Sequence, residues 1–238
     1  MELRSTSRPV RHAGLSAERI DEGLRSYMLS VYNYMGLALV LTGLTAFVTA
    51  QSPAMLNLIF GTPLKWVVML APLGFVFFIS ARLPKMSASA AQISFWVFAV
   101  LMGLSLASIF VIFTGESIAR VFFITAATFG AMSLYGYTTK ADLSRFGSFL
   151  FMGLIGIIIA SLVNIWLASS ALQFAVSVIG VLVFAGLTAY DTQQIKEMYY
   201  AQDDATTAGR KAVMGALRLY LDFINLFLML LQLFGNRD

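Results

Sequence analysis

The sequence predicts an all-α membrane protein, a single bundle of seven transmembrane helices with a central C-terminal helix. Three observations carry that reading. Of 238 residues, 59% are hydrophobic and only 12% charged, a balance that exceeds what a soluble core of this size needs. Charge-free runs cover 26–64, 66–81, 86–115, 121–139 and 146–190, and one bilayer crossing takes about 20 apolar residues. The 16 Lys and Arg against 12 Asp and Glu lie in short clusters between these runs. The basic excess therefore points to membrane lipids and not to nucleic acid as a partner. Cysteine is absent, which removes disulfides, thiolate metal sites and thiol nucleophiles.

Residues 1–14 mix Arg4, Arg8, Pro9, Arg11 and Gly14 without periodicity and read as a flexible cytoplasmic tail, ahead of one transmembrane domain over 15–238. The first apolar run starts near Tyr27 and is too long for the core of a cleavable signal peptide, so it is expected to stay as an anchor. A helix is expected from Leu15, capped by Ser16 and supported by Asp21 and Arg25 at i,i+4. It leads into span one, 28–50, which ends at Gln51-Ser52-Pro53 because proline lacks the donor N–H. A loop then runs to Thr62-Pro63. Lys65 and Trp66 mark an interface, and span two continues to Leu83 with Pro72 inside it.

Span three is placed at 91–113 and span four at 118–138, the latter capped by Ser117, with Glu116 pairing to Arg120. The long run after Arg145 divides at Ala168-Ser169-Ser170 into span five, 146–168, and span six, 171–195. A long polar connector, 196–211, precedes span seven, 213–234. With the N-terminus inside, seven spans place thirteen Lys and Arg on inner segments and leave only Lys65, Arg120 and Arg237 outside. That partition follows the positive-inside rule, so a cytoplasmic N-terminus and an external C-terminus are expected.

Two carboxylates sit in apolar sequence. Asp191 follows Val181-Leu182-Val183-Phe184-Ala185-Gly186-Leu187, and Asp222 lies within Leu219-Tyr220-Leu221-Asp222-Phe223-Ile224. Intramembrane acids are costly and usually face a polar interior. On span seven, Gly215, Arg218, Asp222, Asn225, Met229, Gln232 and Asn236 recur at helical spacing, a stripe that would line a polar cavity from the bundle centre. Thr188, Asp191 and Gln194 gather on one side of span six. Counting from Arg218 and Lys196 places the two acids at similar depth. Two carboxyls close together in low dielectric do not both ionise readily, so the pair would share a proton, as a pH-responsive latch, or hold a divalent cation on hard oxygen ligands.

Bland alternatives stand beside these readings: an interfacial Asp191 in ordinary water, and a structural Arg218–Asp222 pair. Arg82 is a counter-ion candidate for either acid or a helix-end arginine reaching the interface. His12, the one histidine, sits in the tail. No nucleophile–base set, phosphate loop or zinc spacing is present, so neither an enzyme nor a cofactor is expected.

Ala189-Tyr190-Asp191-Thr192-Gln193-Gln194-Ile195 and Leu219-Tyr220-Leu221-Asp222-Phe223-Ile224-Asn225-Leu226-Phe227 resemble the two C-terminal signatures of the Bax inhibitor 1 (transmembrane BAX inhibitor motif) family. Gly130-Ala131-Met132-Ser133-Leu134-Tyr135-Gly136-Tyr137-Thr138-Thr139 is similar to its bacterial branch, which implies a bacterial inner membrane. The resemblance covers about 16–236. It implies seven helices around a central last one and a pH-sensitive calcium leak gated by an aspartate pair, here Asp191 and Asp222. Calcium and protons are then the ligands. The family is also associated with binding other membrane proteins, so a non-conducting regulator is the alternative.

Overall fold

The computed structural model describes residues 10–237, with side chains from residue 20 onward. Most of the expected tail, 1–9, lies outside the described residues. The described residues form nine α-helices: α1 (Val10–Ala50), α2 (Pro53–Phe60), α3 (Leu64–Arg82), α4 (Ala88–Leu106), α5 (Ile109–Ile112), α6 (Gly115–Thr138), α7 (Ser144–Leu167), α8 (Ser170–Glu197) and α9 (Ala205–Phe234). A 3-10 turn, Leu83–Lys85, follows α3. Seven of these segments are long and apolar enough to cross a bilayer: α1 from Ile20, α3 with its 3-10 turn, α4 continued through α5, and α6 to α9. Large side chains such as Phe123, Ile165 and Trp166 are fully exposed on the outside of the bundle. Such surface belongs in hydrocarbon, and the protein is an integral membrane protein.

The last helix is the axis. In α9, 67% of the best apolar window is buried, against 11% in α3 and in α7. It packs on α8, α1, α6 and α4, while α3 leans on α4 and α7 on α8. Small residues permit the closest approaches: a Cβ on Gly136 of α6 would lie 2.1 Å from the Ala189 carbonyl oxygen of α8.

Several boundaries differ from the sequence expectation. Helix α1 begins at Val10, ahead of Leu15 and straight through Ser16, because a lone Gly14 costs a helix only about 1 kcal/mol. The loop before span two holds α2, since Pro53 ends one helix and starts the next at a first-turn position, with the Ser52 hydroxyl accepting from the Met55 N–H at 3.3 Å. Thr114, not Ser117, caps α6, accepting from the Ser117 N–H at 3.2 Å. Span three breaks at Ala107–Ser108 before α5.

Span seven starts at Ala205, eight residues ahead of the expected 213, so only 198–204 lie outside helices. The charged stretch that resembles a long connector is the wet first turns of α9, capped by Asp204. The Thr207 hydroxyl and N–H hold the Asp204 carboxyl below the usual carboxylate range. The division at Ala168 holds: Ala168 adopts the left-handed conformation, φ 47°, and Ser169 caps α8.

Candidate functional site

Helices α8 and α9 come together below Arg218 because Gly215 leaves room for Ile195 and for Val31 of α1. One turn further along, α9 presents Asp222 to α8, and α8 presents Asp191 to α9. The Asp191 and Asp222 carboxyl groups border the same cavity, close enough for each to feel the other's charge. Asp222 is 5% exposed, whereas the Asp191 side chain is 17% exposed. Arg218 lies 3.8 Å from an Asp191 oxygen, so the arginine pairs across helices and the i,i+4 ion pair with Asp222 is not formed.

The Oδ2 atom of Asp222 is buried and has no hydrogen-bond partner. That follows from the chemistry of the pair. Ionised carboxylates only accept hydrogen bonds, so neither oxygen can satisfy the other until a proton lies between them. With a proton shared, α8 and α9 are tied at this level. Without one, two like charges face each other away from water.

The pair opens onto a cavity of about 580 Å³ lined by Gly147 and Ser148 of α7, Tyr190 and Asp191 of α8, and Arg218, Asp222 and Asn225 of α9, among others. A slightly larger cavity, about 620 Å³ between α1 and α6, has no acid in its wall. Both paired acids belong to the smaller one. The Asn225 amide donates to the Leu221 carbonyl at 2.8 Å, leaving its own carbonyl oxygen uncommitted. Among the described residues no three His, Asp or Glu side chains converge. A calcium ion passing here would meet two carboxylates and take its remaining oxygen ligands from Asn225 and water.

The other candidates are distributed differently. Arg82 is exposed at the end of α3 and within ion-pair distance of neither aspartate. Thr188 is fully buried, its hydroxyl donating to the Phe184 carbonyl at 2.8 Å. Gln194 donates to Glu197 and Ser144, on the rim of the bundle. Gln232 lies at the far end of α9, accepting from Arg237 at 3.1 Å. Glu116 and Arg120 do not pair, because Arg120 reaches the Phe234 carbonyl at the C-terminus of α9, 3.2 Å away.

Sequence reasoning missed Gly147 and Tyr190. The tyrosine ring of α8 lies where a Cβ on Gly147 of α7 would be, 2.7 Å away, so it forms one wall of the cavity. It also missed Gln193, whose amide group spans the turn before α7, accepting from the Leu143 N–H and donating to the Ala141 carbonyl, both at 2.9 Å. A Gly-Ser pair in an apolar helix was the available signal for the first. Nothing local marks the second.

The family described as inhibitor of apoptosis-promoting Bax1 matches residues 24–238 of the chain. A protein of Rickettsia prowazekii is 54% identical over 217 residues, 91% of this chain and 92% of its own length. The inner membrane protein YbhL of Escherichia coli is 51% identical over 218 residues, 90% of this chain and 93% of its own. A membrane protein of Streptococcus pyogenes is 35% identical over 224 residues, 92% of this chain and 96% of its own. With seven apolar helices, the paired acids at the level of the two C-terminal motifs and a match over nearly the whole length, the chain belongs to the Bax inhibitor family of membrane proteins.

Proposed function

We propose that the protein is a pH-sensitive calcium leak of the inner membrane, gated by Asp191 and Asp222. The observation that carries the reading is the buried Asp222 oxygen without a donor, set beside Asp191 in the wall of a cavity that also holds Arg218 and Asn225. One shared proton closes the latch: it supplies the missing hydrogen bond and leaves a single negative charge for Arg218. A second proton removes that charge, frees Arg218 and loosens α8 from α9, so the leak rises with acid. Among the described residues, the other titratable side chains around the pair and its counter-ion are Tyr190 of α8, Tyr27 of α1, which feels the Arg218 charge, and Arg210 and Lys211 of α9, which line a neighbouring cavity with Arg218; α7 contributes none.

The test is calcium entry into proteoliposomes loaded with an indicator, at stepped pH. The parent leak should change with pH, and Asp191→Asn and Asp222→Asn should each flatten that profile. Unchanged flux and pH dependence in both variants would defeat the proposal. The name of the matched family favours a second reading, a regulator that binds another membrane protein. It predicts no flux from the pure protein and a membrane partner that co-purifies.

A further inference from the structure

The polar stripe of α9 does not stop at the aspartate cavity. A second cavity, about 510 Å³, lies between the same three helices at their other end, with Asn164 of α7, Gln173 and Ser177 of α8, and Gln232 and Arg237 in its wall. Its groups are amides and hydroxyls with one cation. The Asn164 amide donates to the Gln173 carbonyl at 3.2 Å, and the Arg237 guanidinium lies over the Phe113 ring at 5.6 Å. Among the described residues no carboxylate borders it.

Between the two cavities the stripe is interrupted by one side chain. Met229 lies between Asn225 and Gln232 and packs onto Gly180 of α8, where an added Cβ would come within 2.7 Å of the Met229 Cγ and Sδ atoms. From Asn225 to Gln232 is about 10 Å along the helix at a rise of about 1.5 Å per residue. The barrier is thus an apolar layer with Met229 on the α9 side and the buried Val183 of α8, packed onto Gly153 of α7, one turn away. Gly180 gives the thioether its seat, and methionine is flexible enough to leave it.

We propose that the two cavities are the mouths of one path for a hydrated cation between α7, α8 and α9, with Met229 on Gly180 as its apolar constriction. This rests on the reading of the aspartate site as an ion path and adds the route and its narrowest point. A short apolar layer holds back ions by excluding water and passes them once it is widened or made polar. Selection then belongs to the mouth that carries Asp191 and Asp222, and the second mouth, uncharged but for Arg237, admits ions without holding them.

Because the protein contains no cysteine, Asn225→Cys and Gln232→Cys each introduce a lone thiol. The probe is a membrane-impermeant methanethiosulfonate carrying a trimethylammonium group, added to either face of sealed vesicles. In the parent background each thiol should be labelled from one face only, and from opposite faces. Met229→Ala, or Met229→Gln, which keeps the length and adds polarity, should let both thiols be labelled from both faces and should raise calcium flux; Met229→Leu should keep the parent pattern.

The inference is overturned if both thiols are already labelled from both faces in the parent, or if Met229→Ala and Met229→Gln, verified as folded by their thermal melts, keep the one-sided pattern. Labelling that crosses the constriction without any calcium flux would count against the calcium reading alone and leave the path standing.

Discussion

Tyr220 shows how little freedom the residues beside Asp222 have. Its ring is fully buried edge-on to Phe95 and Phe98, with centroids 5.9 and 5.4 Å away. The Thr42 hydroxyl donates to the Ala99 carbonyl at 2.9 Å, so in the 2.7 Å contact between Thr42 and Tyr220 the tyrosine must be the donor. Tyr220→Phe removes one buried bond and should cost about 0.5–1.5 kcal/mol, read as a lower thermal midpoint in detergent. The acids themselves were legible in the sequence, because a carboxylate in an apolar run is an anomaly a reader can see. Which of them Arg218 would take was not. Spacing along α9 suggested Arg218 with Asp222, and the fold instead turns Arg218 across to Asp191.

Helices read well where periodicity and hydropathy agree and poorly where a helix leaves the membrane. The first turns of α9 hold Thr206, Thr207, Arg210 and Lys211, whose polar faces lack the apolar run by which spans are recognised. The Thr114 cap was hidden because Ser117, an equally good capping residue, stands three positions later. Its hydroxyl instead accepts from the Asn236 N–H at 2.8 Å. Contact between helices is the property least visible in sequence. Glycines in the spans suggested close packing without saying which one mattered. Gly136→Ala should force α6 away from the Ala189 carbonyl and lower stability by about 1–3 kcal/mol. Gly156→Ala, with no atom within 4 Å of the new methyl, should be neutral or mildly stabilising. Equal melting shifts for the two would refute that assignment.

At the scale of the molecule, charge sorts to the two ends as the sequence partition expected. Arg210 donates to the Pro84 carbonyl and Lys196 to that of Tyr137 at one end; Arg120, Phe234 and Arg237 gather at the other. The C-terminal segment is strapped to the start of α6 there: the Thr114 N–H donates to the Asn236 carbonyl at 3.1 Å, and Phe113 bridges to Arg237. Truncation after Phe234 removes these ties and the one cation in the second mouth's wall, Arg237. It should lower the melting temperature while leaving the pH dependence of flux in place, since Asp222 lies mid-helix, about 18 Å back along α9 at a rise of about 1.5 Å per residue.

The central claim is that Asp191 and Asp222 act as one proton-sharing unit, and a double-mutant cycle on the pH profile of calcium flux tests it most directly. Asp191→Asn, Asp222→Asn and the double variant should all show the same flattened profile, because removing either acid already destroys the shared proton. Two independent effects that simply add in the double variant would contradict it.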